Sequence, residues 1–113
     1  MDDDYFTIRR KAAAPGSDGV VESYVELTGE LDIGARDAVR EVLLDIVDRE
    51  SSRRTMVDLK DVAFIDSEAI SAILDGYVAA QQVGKTLVLI NANGVVRRVF
   101  HIIGMDELMR DLR

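Results

Sequence analysis

Two short apolar runs, separated by a long segment of helical period, limit most tightly how this chain can fold. Thr55-Met56-Val57-Asp58-Leu59 and Thr86-Leu87-Val88-Leu89-Ile90 are too short for buried helices. Both are rich in aliphatic residues, as strands covered on both faces are. Between them Ile70, Ile73, Leu74 and Tyr77 recur at helical spacing, which predicts a helix over 67–83 closed by Gly84. Such a strand–helix–strand unit lays its strands side by side and parallel, joined by a right-handed crossover.

The alternation continues in both directions. Upstream, Val39, Val42, Leu43, Ile46 and Val47 predict a helix over 35–49, with Arg36, Asp37, Arg40, Glu41, Asp45 and Asp48 on its other face. Downstream, Val95, Val96, Val99, Ile102 and Ile103 mark a third helix over 95–103 ahead of Gly104, and 105–113 reads as a final short helical piece. At the start, Phe6 and Ile8 alternate with polar neighbours in a strand over 5–10. Val21, Ser23, Val25 and Leu27 alternate with Glu22, Tyr24 and Glu26 in a strand over 20–28. The turn-forming stretch 12–19 holds the only proline, Pro15, and joins these two strands as a hairpin. Residues 29–34 read as a loop, and 60–66 as the exit from the Thr55–Leu59 strand. The expected fold is α/β: a single domain over 1–113, with a mixed β-sheet (an N-terminal hairpin, then parallel strands) and helices packed on it.

Charge and motifs narrow the function. The net charge of -7 disfavours nucleic acid and anionic membrane surfaces, which recruit clustered Lys and Arg. A basic patch on a protein partner suits it. With no cysteine and one histidine, His101, no metal-ligand spacing exists, and His101 reads as a surface residue of the third helix. No phosphate-cradling glycine loop and no nucleophile elbow occur, so no cofactor is expected. No apolar run reaches membrane-spanning length, and the acidic Met1-Asp2-Asp3-Asp4 start is unlike a signal peptide, so a cytoplasmic protein without membrane insertion is expected.

The segment Val62-Ala63-Phe64-Ile65-Asp66-Ser67-Glu68-Ala69-Ile70 leaves a buried strand and opens a helix. Unpaired amides at a helix start favour negative charge there. Asp66 or Ser67 reads as the N-cap and Glu68 as a first-turn acid. Asp32 has two readings, a cap or first-turn acid for the helix near Ala35, or a residue facing a partner. Arg97 and Arg98 read as solvated, with contact to an acidic partner surface as the alternative, and Met105 and Met109 as gap-filling core.

Four segments, in this order, resemble the STAS family over nearly the whole chain. Leu27-Thr28-Gly29-Glu30-Leu31-Asp32 is similar to its T-G-E-L-D loop. Val57-Asp58-Leu59 followed by Phe64-Ile65-Asp66-Ser67 resembles V-D-L…F-I-D-S-[ST]-G. Gly84 to Asn91 resembles G-x-x-L-x-L-x-N, and Val95-Val96-Arg97-Arg98-Val99 through Gly104 resembles V-R-R-V-x-x-x-x-G. The resemblance implies an anti-sigma factor antagonist: a binding module rather than an enzyme, whose partner is an anti-sigma factor that is also a serine kinase. In such members the kinase phosphorylates a Ser or Thr at the start of the second helix, and the complex then separates.

Here the pattern departs. Asp66 and Ser67 match, but Glu68 stands at the acceptor position and Ala69 replaces the glycine. Glutamate has no hydroxyl to phosphorylate and carries a permanent negative charge, so the switch is expected to be altered or locked, either as an unregulated binder or as a mimic of the phosphorylated form. Ser67 remains as an acceptor one place early. The expected partner-binding and switch residues are Asp32, Asp66, Ser67, Glu68 and Ala69. Members of the family often continue with a further strand and a last helix, which here would be missing or reduced to 105–112. An alternative role is a STAS scaffold in a stress-signalling assembly, or a regulatory partner of a transporter. An acid/base enzyme using Asp32, Asp66 and Glu68 has no nucleophile, metal or cofactor motif behind it.

Overall fold

The computed structural model describes residues 5–110. Its elements are β1 (Phe6–Pro15), β2 (Val21–Leu31), α1 (Ile33–Arg49), β3 (Arg54–Ile65), α2 (Ser67–Gln82), β4 (Thr86–Ile90), α3 (Gly94–Ile102), a 3-10 turn (Asp106–Leu108) and β5 (Met109–Arg110). The strands form one five-stranded sheet in chain order. β1 is antiparallel to β2, and every later pair is parallel. The mixed α/β sheet that the sequence predicts is therefore present.

Strands laid down in chain order by right-handed crossovers put their helices on one face. The core shows this packing. Val25, Val57 and Leu89 are register neighbours on that face, and they share one cluster with Leu43 of α1, Ile73 of α2 and Phe100 of α3. On the opposite face, Tyr24, Met56 and Val88 are register neighbours and form a smaller cluster with Ile90.

α1 packs tightly against α2 at Gly76. A Cβ there would lie 2.9 Å from the Leu43 Cβ and 3.3 Å from the Leu87 Cδ1. This contact sets the spacing of the two helices. Both α2 and α3 end as their glycines predict. Gly84 has φ +74°, its amide donates to the Gln81 carbonyl at 3.1 Å, and the Lys85 amide donates to the Ala80 carbonyl at 2.9 Å. Gly104 closes α3 in the same way, with Met105 donating to Phe100 at 2.8 Å.

Several boundaries differ from the sequence reading. β1 runs on through Pro15, because as an edge strand it has no outer neighbour that needs the missing N–H, and an irregularity between Lys11 and Ala14 absorbs the misfit. β2 continues through 29–31, and β3 continues through 60–65, so neither stretch is a loop. The two pair with each other there, as Gly29 with Val62 and Leu31 with Ile65. The last piece is a 3-10 turn followed by a strand pairing with β4, not a helix; 111–113 lie outside the described residues. Met109 is buried and Met105 packs against the core. In α3 the buried residues are Val96 and Phe100, whereas Val95, Ile102 and Ile103 face solvent.

Candidate functional site

The parallel strands end at one edge of the sheet, and the starts of α1, α2 and α3 gather there. Asp32 is the N-cap of α1, its Oδ1 accepting from the Gly34 amide at 2.9 Å. Asp66 is the N-cap of α2, and its Oδ1 accepts from the Glu68 and Ala69 amides at 3.0 Å each. Both carboxylates satisfy amides that a helix start leaves unpaired. The two caps are neighbours, because each directly follows a member of the registered pair Leu31 and Ile65. The Asp66 amide also donates to the Leu31 carbonyl at 3.0 Å.

Gly29 lets the start of β1 lie close against the end of β2. Its φ is +89°, and a Cβ would lie 2.0 Å from the Tyr5 carbonyl oxygen. No side chain fits that space, so the glycine of the T-G-E-L-D segment is a steric requirement. The Glu30 amide donates to the same Tyr5 carbonyl at 2.8 Å.

Ser67 is exposed at the first position of α2. Glu68 is half-buried, and its Oε1 accepts from the Arg36 Nη1 at 2.8 Å. Arg36 also donates from Nε to the Asp37 Oδ1 at 3.1 Å. Hydrogen bonding to Glu68, and then to Asp37, raises the Arg36 pKa above the ordinary arginine value. One expected residue faces the other way. Ala69 is fully buried in the core, so its side chain offers nothing to a partner, and only its amide serves the site, by bonding to Asp66.

Three large apolar side chains at these strand ends and helix starts are exposed. Ile33 is 61% exposed, Phe64 46% and Val95 63%. Each sits at a strand end or a helix start on this edge. Glu30, Asp32, Asp66 and Glu68 lie at the same strand ends and helix starts, so this end of the sheet carries both acidic and exposed apolar residues. Sequence reasoning missed Arg36, Ile33, Phe64 and Val95 as members of the edge. Ile33 follows Asp32 directly and Phe64 precedes the Asp66 cap, so position next to those segments was an available signal for two of them.

Asp58, the acid of the V-D-L segment, lies on the other face and is only 5% exposed. The Tyr24 hydroxyl donates to its Oδ2, while the Lys60 amide at 2.9 Å and the Asn91 amide group at 3.1 Å donate to its Oδ1. Burial alone would raise its pKa, but hydrogen bonds from Tyr24, Lys60 and Asn91 outweigh it and hold the carboxyl below its usual range. Burial, and then the bond to Asp58, pushes the Tyr24 pKa well above that of an ordinary tyrosine. The bond to Lys60 spans the place where Glu26–Thr28 of β2 pairs with Asp58–Asp61 of β3, a β-bulge. Asp58 thus fixes the path by which β3 delivers Asp66 to the edge.

His101 is exposed, and its Nδ1 lies 3.0 Å from the Asp106 carboxylate. Among the described residues no cluster of acids and histidine could hold a metal ion. No described helix is long and apolar enough to cross a membrane.

A family model described as "Mlab, STAS domain" matches residues 17–111. The chain belongs to the STAS family. Among its relatives are an anti-sigma F factor antagonist of Paenibacillus polymyxa, 29% identical over 75% of this chain and 73% of that protein. Another is an anti-sigma-B factor antagonist of Bacillus subtilis (strain 168), 26% identical over 75% and 76%. The fold is similar to that of the anti-sigma factor antagonist SpoIIAA in its unphosphorylated form, with a TM-score of 0.79 at 20% identity, covering 95% of this chain and 89% of that one. It is also similar to a sulfate transporter family protein from Wolinella succinogenes, with a TM-score of 0.66 at 20% identity over 76% and 69%.

Proposed function

We propose that this chain is a cytoplasmic anti-sigma factor antagonist that binds a serine-kinase anti-sigma factor through the edge formed by Asp32, Ile33, Phe64, Asp66, Ser67 and Glu68. The observation that carries this reading is the convergence at one edge of neighbouring acidic caps and exposed apolar side chains. Such a surface suits a basic partner with apolar pockets, in which charge steers the encounter and the apolar residues anchor it. Its relatives named as antagonists support the partner class.

Glu68 stands where the family pattern has its phosphoacceptor, so the partner's kinase has no hydroxyl to modify at that position. The complex is then not dissolved by ATP, and the antagonist acts constitutively. It works as a binding module, with no catalytic step of its own.

Chemical-shift mapping of the labelled chain against an ADP-loaded serine-kinase anti-sigma factor tests the surface. The expected perturbations cluster at 30–36 and 62–69. Perturbations confined to the Tyr24–Met56–Val88 face, with this edge silent, would overturn the assignment. Saturable binding to a transporter component alone would favour the transporter-subunit role.

A further inference from the structure

Arg36 occupies a position that helix stability does not explain. It is the fourth residue of α1, close to the helix's positive end, where a cation opposes the helix dipole. Its guanidinium instead reaches across to α2 and meets the Glu68 carboxylate at 2.8 Å. The pair joins first turns that are anchored separately, α1 by the Asp32 cap and α2 by the Asp66 cap, so neither end is held only by a mobile side chain. A second ion pair, Arg40 to Asp75 at 3.2 Å, links the same two helices.

We infer that Arg36 is a built-in counter-ion for Glu68, so that the acceptor position presents a closed ion pair and the chain is held in its partner-binding state instead of imitating the phosphorylated one. This rests on the partner-binding reading above. The physical reason is desolvation. A partner seated on this edge covers the Glu68 carboxylate. A covered carboxylate that meets no cation, from its own chain or from the partner, loses water and gains nothing, whereas one already bonded to a guanidinium loses much less and needs no cation from the partner at that position. A phosphate would bring roughly two negative charges to this place, and one arginine shared with Asp37 would not balance them. Arg36 is thereby a specificity-determining residue: it decides whether position 68 brings a balanced or an unbalanced negative charge into the complex.

The test is a double-mutant cycle on affinity for an ADP-loaded serine-kinase anti-sigma factor, with Arg36→Ala, Glu68→Ser and the pair combined. Arg36→Ala is expected to weaken binding at least about tenfold, by leaving Glu68 unpaired. Glu68→Ser is expected to weaken binding in the wild-type background and to restore it in the Arg36→Ala background. That reversal of sign is a readout that general damage to α1 would not give. Melting temperatures of the same variants check folding, and only small shifts are expected because both partners are 40% or more exposed. If the wild type binds and Arg36→Ala binds equally well, the inference alone is overturned. Loss of binding in Arg36→Ala that Glu68→Ser does not repair also overturns it. If the wild type binds no such kinase, the functional reading falls and this inference falls with it.

Discussion

Replacing Gly76 with alanine adds one methyl group where α2 packs directly against Leu43 of α1. Two favourable effects are expected in isolation. Alanine is better than glycine in a helix interior by about 1 kcal/mol, and a buried methyl adds about 0.8 kcal/mol when space exists. Space does not exist here. The new Cβ would sit 2.9 Å from the Leu43 Cβ and 3.1 Å from its Cδ1. Carbon atoms prefer roughly 3.5–4.0 Å, so the helices must part by close to an ångström. The nearest atom is a Cβ, which moves only with its backbone, so a rotamer change of Leu43 cannot relieve the clash. Overpacking of this kind costs about 1–3 kcal/mol, and here the buried-methyl gain is also forfeited. Set against the helix-propensity gain, the net expectation is a loss of up to about 2 kcal/mol, or up to about 8 °C in Tm at this size. Urea or thermal unfolding followed by circular dichroism measures it. A Gly76→Ala variant that melts above the wild type would refute the claim that this contact sets the helix spacing.

Further predictions follow from the caps and the buried network. Asp66→Ala removes the acceptor of both the Glu68 and Ala69 amides, and a loss of about 1–2 kcal/mol is expected by chemical denaturation, with Asp66→Ser recovering most of it. The folded-state pKa of Asp58 is depressed, so its contribution to stability is complete above the unfolded carboxyl value and fades as pH falls below about 4. Asp58→Asn leaves an amide N–H facing other donors; it is expected to cost about 2 kcal/mol at neutral pH and to flatten the acid limb of the stability profile. The folded-state pKa of Tyr24 is raised, so the stability it contributes is lost as pH rises above about 10, where the unfolded phenol ionises first. Alkaline absorbance titration should show one tyrosine ionising only with unfolding.

Much of the fold is legible in local pattern, and the exceptions share a cause. The runs at 55–59 and 86–90 declare themselves because both their faces are buried. β3 continues to Ile65 unannounced because the exposed, charged Lys60 and Asp61 at the bulge cut the Val62–Ile65 run off from Thr55–Leu59, and of that run only Val62 and Ile65 are buried. α3 carries more aliphatic residues than its contact with the sheet can cover, so its rotation, not its composition, decides that Phe100 goes inside and Ile102, 72% exposed, stays out. The caps at Asp32 and Asp66 are sequence-local and could be anticipated. Arg36 could not be: its partner lies 32 residues away, and nothing near either residue records the meeting.

The most direct test of the central claim is to form the complex with a serine-kinase anti-sigma factor in ADP, then add ATP, following affinity and the intact mass of the chain together. The account predicts that the complex persists and the mass stays unchanged, while a Glu68→Ser variant gains a phosphate. Release of the wild-type chain on ATP addition, with a phosphate on Ser67, would contradict it.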